Sequence, residues 1–186
     1  MIDTKDTLIE VAVERLTADI ISGVLEPEKK LQIADLKERY GIGATPLREG
    51  LAQLSTIGFV VFDSRKGFRV TPISKEDLDD ITALRKVIET TALRQSIEFG
   101  DDEWEVGIVT AYARLERVIA RLVSSDNGMD TGIEQAHKQL HVALVSACRS
   151  RRLLYLQSIL YDQARRYRHL MISQLFDPQE FLDIHD

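Results

Sequence analysis

His137 and His141 lie in the stretch EQAHKQLH, with Glu134 three residues ahead of the first. On a helix that spacing puts all three side chains on one stripe. The stripe runs close to an apolar one made of Ile133, Ala136, Leu140, Leu144 and Ala147. Two imidazoles one turn apart beside a core face can grip a single metal ion, as other helical His-x3-His sites do. The alternative is a pair of partly buried histidines satisfied by hydrogen bonds. With Glu134 as general base, the same residues would suit a metal-dependent enzyme built in a helical bundle. Against that reading, the chain offers no obvious nucleophile, oxyanion donor or phosphate loop.

A second set is rich in arginine. Arg85 is followed four residues later by Glu89, and Arg165, Arg166 and Arg168 crowd one later segment. An arginine turned into a bundle suits a carboxylate ligand, because its fork donates two hydrogen bonds at a fixed angle. For the three later arginines, solvated or inter-helix salt-bridge positions are the expectation. Tyr161 and Tyr167 carry hydroxyls that a ligand could use, but tyrosines at helical spacing are more often core.

The third stretch is GIGATPLREGLAQLSTIGF, residues 41–59. Its glycines make a turn, and Pro46 is tolerated in the first turn of the helix that follows, where no N–H is needed. Leu47, Leu51 and Leu54 fall on one stripe, leaving Thr45, Arg48 and Glu49 at the exposed N-terminal end, the part of a recognition helix that usually reaches base edges. Taken alone, Arg48 would be read as a solvated charge.

The elements that must position these groups follow from periodicity. Residues 7–22 repeat apolar side chains near a 3.6-residue period and stop at Gly23, and residues 32–40 form a short second helix that Gly41 ends. The third helix runs from about Thr45 to Ile57. In FVVFDSRKGFRVTPI, two β-branched and aromatic runs flank a polar tip and predict a hairpin. A helix, a helix-turn-helix and a hairpin make a winged helix-turn-helix over residues 1–73. Residues 74–186 are helical throughout. Ser74 to Asp77 resemble a capping box, opening a helix that carries Leu78, Ile81, Leu84, Ile88 and Leu93 and closes at Phe99-Gly100. Three more helices follow, at about 102–123, at about 131–148, and from RSRRLLYLQ onward. The fold class is mainly α with a small β-wing, the second domain being an antiparallel helical bundle.

Composition bounds the function. The chain has 186 residues and a net charge of −6, which argues against coating nucleic acid or anionic membrane by bulk electrostatics yet leaves room for a local DNA-binding patch. Up to Ile73 there are 10 Lys+Arg against 11 Asp+Glu, and beyond it 14 against 19, so most of the acidic excess sits in the second domain. No apolar run approaches the roughly 18 residues that span a bilayer, and the acidic, helical N-terminus is unlike a secretory signal. A cytoplasmic protein is expected. Cys148, the single cysteine, has no partner for a disulfide and is expected as a small buried hydrophobe.

Residues 9–72, with IISGVLEPEKKL, LKERYGIGATPLREGLAQL and GFVVFDSRKGFRVTPIS, resemble the winged helix-turn-helix of GntR-family bacterial transcription regulators. The following helices, with LRKVIETTAL and HKQLHVALVSAC, are similar to the effector domain of the FadR (FCD) subfamily. The resemblance implies DNA contacts at Thr45, Arg48 and Gly67, with Lys66 as a neighbouring phosphate contact. Gly43-Ala44 stands where the family often has Ser/Thr-Arg, and Ala34 where an arginine is common, so sequence preference should differ. These losses leave a further alternative, an interaction module without DNA binding. The resemblance also implies Arg85 as the effector contact and a metal held by an Asp-x3-His pair and two later histidines. Here His137 replaces the aspartate, which favours zinc or nickel over magnesium. Asp186 falls near where the next ligand helix is expected, so the site is expected to be incomplete unless His169, His185 or Glu134 contributes. A ligand-responsive regulator, a repressor on family grounds, is the resulting expectation: a homodimer reading a palindromic operator and sensing a small carboxylate, with effector binding changing the placement of the two DNA-binding domains.

Overall fold

The computed structural model describes residues 7–124 and 131–175, and the side chains of residues 7–121 and 132–168. Helix α1 (Leu8–Ile21) opens on a full capping box: Thr7 Oγ1 accepts from Glu10 N–H at 3.3 Å, and Thr7 N–H donates to the Glu10 carboxylate at 2.6 Å. Two orphan donors of the first turn are thereby satisfied. Helix α2 (Ile33–Tyr40) ends at Gly41, which adopts the left-handed conformation at φ +67° that a side chain would make costly. Asp19 of α1 ties the two helices together, its Oδ2 accepting from Arg39 Nε and from the Tyr40 hydroxyl, both at 2.7 Å.

Helix α3 (Ala44–Thr56) follows after only two residues. Its inward face is Leu47, Gly50, Leu51 and Leu54, and each of the three leucines is fully buried. Gly50 is the point of closest approach to α1: a Cβ there would lie 3.4 Å from Ala12 Cβ and from Val13 Cγ2. Leu16, Ile20, Leu25, Leu31, Leu36, Phe59, Val60 and Val70 complete the same core. Truncating one such leucine to alanine costs about 2–5 kcal/mol. Strands β1 (Val60–Asp63) and β2 (Gly67–Val70) pair antiparallel with Val60 opposite Val70 and Asp63 opposite Gly67, and Lys30 bridges to Arg69 on the far side of β2. Val60 and Val70 are buried in the core and Val61 is exposed on the opposite face, as a period of two requires; Phe62 departs from that period, exposed although it shares the face of Val60.

Four longer helices follow: α4 (Lys75–Phe99), α5 (Asp102–Ser124), α6 (Thr131–Val145) and α7 (Arg151–Leu175). Asp77 N–H donates to Ser74 Oγ at 3.1 Å, the first half of the expected capping box; the Asp77 carboxylate instead accepts from the Tyr167 hydroxyl. Leu115 and Ile119 of α5 pack with Ile133, Ala136 and Leu140 of α6. Trp104 Nε1 donates to the Ala143 carbonyl at 3.0 Å. Cys148 is buried as expected and forms a small cluster with Ala92 and Val145. Two details differ from the periodicity. Leu84 is exposed, because Arg85 and Glu89 take the inward stripe of α4. Helix α6 stops at Val145, where Ser146 and Cys148 N–H turn to the carbonyls of Ala143 and Val145 in tight i to i−3 bonds.

The chain divides into two compact units. One holds the residues through Leu78 together with Asp162–Leu170; the other is built mainly from Asp79–Tyr161. Helix α7 therefore contributes Asp162–Leu170 to the first unit and the residues on either side of that stretch to the second. Among the described residues, no helix is long and apolar enough to cross a membrane.

Candidate DNA-reading surface and effector site

The first unit presents a helix end and a wing. Gly43, the N-cap of α3, has no side chain to satisfy the first amides of the helix, and an uncapped helix N-terminus favours a phosphate. Thr45 and Arg48 are both exposed, opposite the buried leucine face. At the wing tip, Asp63 Oδ1 accepts from the N–H of Arg65 at 2.8 Å and of Lys66 at 3.2 Å. The bond from the Arg65 amide, opposed by slight burial and helped by the Lys66 amide, holds the Asp63 carboxyl below its ordinary value. Gly67, at φ +76°, closes the turn. The result is a short, pinned tip that offers Arg65 and Lys66 side by side to solvent. Arg65 was not singled out in the sequence; its signal was its place beside Lys66 in a tip that Asp63 and Gly67 define. Phe62 and Phe68, ring centroids 4.8 Å apart, line an open groove with Ala52, Ser55 and Thr56 of α3, so the wing lies alongside the recognition helix.

In the second unit, α4, α6 and α7 bring together five side chains. Arg85 Nε donates to Glu89 Oε1 at 2.7 Å. The other oxygen of Glu89 lies 3.4 Å from His141 Nδ1. His141 Nε2 is 3.1 Å from His137 Nε2, and His137 Nδ1 is 2.8 Å from the Tyr161 hydroxyl. The Arg85 guanidinium also stands 5.3 Å from the Tyr161 ring centroid. His137 and Tyr161 are buried, whereas Arg85, Glu89 and His141 are half-buried. Burial by itself would raise the Glu89 carboxyl; the hydrogen bonds from His141 and Arg85 outweigh it and hold the group below its ordinary value.

These contacts fix the proton on one ring nitrogen of His141 and leave two arrangements for His137. An ionised Glu89 can only accept, so His141 carries its proton on Nδ1 and, when neutral, has a bare Nε2. If the Tyr161 hydroxyl donates to His137 Nδ1, then His137 Nε2–H donates to His141 Nε2 and the chain closes as a hydrogen-bonded relay. If His137 Nδ1–H donates to Tyr161, the contact at 3.1 Å is satisfied either by a doubly protonated His141 donating Nε2–H to His137 Nε2 or, with His141 neutral, by a cation between the two lone pairs. That separation is one that two nitrogens, each about 2.0–2.1 Å from the same zinc, can adopt. Oxygen partners on both Nδ1 atoms are the outer-shell arrangement that orients metal-binding histidines. The pair thus fits half of a metal site; among the described residues no group of three His, Cys, Asp or Glu side chains is placed to hold an ion. His185 and the side chain of His169 lie outside the described residues. A carboxylate against the pair is Glu89 of α4, a neighbour that the helical spacing of α6 does not show.

A winged helix-turn-helix joined to a helical bundle with an internal polar site defines a DNA-binding protein with a ligand-sensing domain. The chain belongs to the GntR family of bacterial regulatory proteins: that family's model matches residues 8–70, and the FCD domain model matches residues 80–186. It is 41% identical over 164 residues to the HTH-type transcriptional regulator BphR of Paraburkholderia xenovorans, covering 88% of this chain and 67% of the relative. It is 35% identical over 172 residues to the HTH-type transcriptional repressor GlaR of Escherichia coli, covering 92% and 77%. Among solved structures, E. coli McbR/YncC shares the fold with a TM-score of 0.76 at 19% identity, covering 94% of this chain and 79% of the other. The protein is a ligand-responsive, DNA-binding transcription regulator, and its family and relatives are regulators, not enzymes.

Proposed function

We propose that the chain acts as a homodimeric repressor that reads a palindromic operator and releases it in response to a small carboxylate. Thr45 and Arg48 reach base edges in the major groove, while Lys66 and the Gly67 turn meet the backbone at the wing. The observation that carries this reading is the exposure of Thr45 and Arg48 on the first turns of α3, whose opposite face is fully buried. The repressor assignment follows the name of GlaR. In the bundle, Arg85 receives the effector carboxylate, which competes with Glu89 for the guanidinium. His137 and His141 would hold zinc or nickel, whose charge would draw the same carboxylate. We place the division of labour at residues 1–73 for DNA and 74–186 for effector and dimerisation. Selection of bound duplexes from a random library, combined with light scattering of the free chain, tests the reading. It predicts a palindromic consensus and a dimer mass; a monomer, or binding with no consensus, contradicts it.

A further inference from the structure

The DNA-reading unit is not closed by the residues of the DNA-binding family model alone. Asp162–Leu170 of α7 belongs to it, although this segment lies within the FCD match, not the residue 8–70 match. Gln163 Nε2 donates to the carbonyl of Ile57 at 2.7 Å. Ile57 is the C-cap of α3, so this bond occupies a carbonyl at the end of the recognition helix, where carbonyls lack intrahelical partners. Arg166, buried and with its guanidinium 5.9 Å from the Phe59 ring centroid, donates through Nη2 to the carbonyl of Thr71. Thr71 is the first residue beyond β2, and its own N–H donates to the Phe59 carbonyl at 3.1 Å.

The exit of the recognition helix and the exit of the wing therefore meet at Phe59, and one face of α7 grips a carbonyl on each. Gly58 leaves room for the grip: its φ is +79°, and a Cβ there would stand 2.7 Å from Gln163 Nε2. Tyr167, one residue after Arg166, anchors the same stretch of α7 to Asp77.

We propose that Gln163 and Arg166 are positioning residues for DNA readout, holding the recognition helix and the wing in the one relative placement that lets base and backbone contacts form together. The proposal rests on the reading of Thr45, Arg48 and Lys66 given above. Specific binding needs both elements in register, whereas non-specific binding rests on phosphate neutralisation and tolerates misplacement.

The test uses the full chain, the duplex that the wild type selects from a random library, and an unrelated duplex of equal length. Gln163→Glu keeps the shape and replaces the donor amide with an acceptor. It is expected to lower the specific-to-unrelated affinity ratio by about tenfold, the order of one lost base contact, with the melting temperature and unrelated-duplex affinity unchanged. Gln163→Lys, which keeps a donor at similar reach, is expected to retain most of the ratio. Retention of the full ratio in Gln163→Glu overturns the proposal. So does a parallel fall of both affinities with the melting temperature, which would mark a purely structural bond, or an equal loss in Gln163→Lys. A wild type that selects no duplex overturns the underlying reading, and the proposal with it.

Discussion

The Nε2 atoms of His137 and His141 face each other at 3.1 Å, each ring steadied from behind by an oxygen, the Tyr161 hydroxyl on one side and Glu89 on the other. Titration of the chelator-treated chain with zinc or nickel at pH 7.5 should show binding with water completing the coordination, easily reversed by chelator. His137→Ala/His141→Ala should abolish it. Tyr161→Phe should weaken it by about tenfold, the lower end of the usual outer-shell effect. Calorimetry that finds no binding, or binding that survives the double substitution, assigns the pair to the relay arrangement.

The Tyr167 hydroxyl, pushed up to about 12 first by burial and then by its bond to Asp77, predicts alkaline sensitivity. A group whose folded pKa is raised contributes stability that is fully present below its unfolded value, about 10 for tyrosine, and is lost as pH rises through the folded value. Melting curves between pH 9 and about 12 should therefore show the wild type losing its advantage over Tyr167→Phe across that window. A difference that stays constant across that window would mean that folding does not raise the Tyr167 hydroxyl.

Lys66, held in place by a wing tip whose amides are pinned by Asp63, is read as a backbone contact. Lys66→Ala should weaken binding to all duplexes alike and flatten the plot of log affinity against log salt by about one unit. An effect confined to one base position would reassign Lys66 to base readout. Asp63→Ala should act in the same direction by loosening the turn.

Much of this was legible in the sequence for physical reasons. The glycines at 23, 41, 58 and 67 all take positive φ, a demand that turn chemistry imposes locally, and the leucine stripe of α3 is buried as its period requires. The pairing of His137 with His141 could be read because both lie on one helix. What brings Glu89 and Tyr161 to that pair is tertiary packing of α4 and α7, which no single-helix period encodes. Arg166 was expected as a solvated or salt-bridging charge; its burial follows from a neutral carbonyl, that of Thr71, taking the place of an ion-pair partner. Burial lowers its pKa, and the nearby Tyr167 and Asp77 charges work against that. Leu84, one of the repeating apolar residues of α4, is exposed because the inward stripe of α4 is given over to Arg85 and Glu89.

The account depends most on Arg48, exposed on the first turns of α3. The direct measurement is the affinity of wild type and Arg48→Ala, at fixed salt, for the selected duplex and for single-base variants of it. The account predicts a loss of about 1–3 kcal/mol on the selected duplex and relaxed preference at one base position in each half-site, with the fold intact by melting. Unchanged affinity together with unchanged base preference would contradict it.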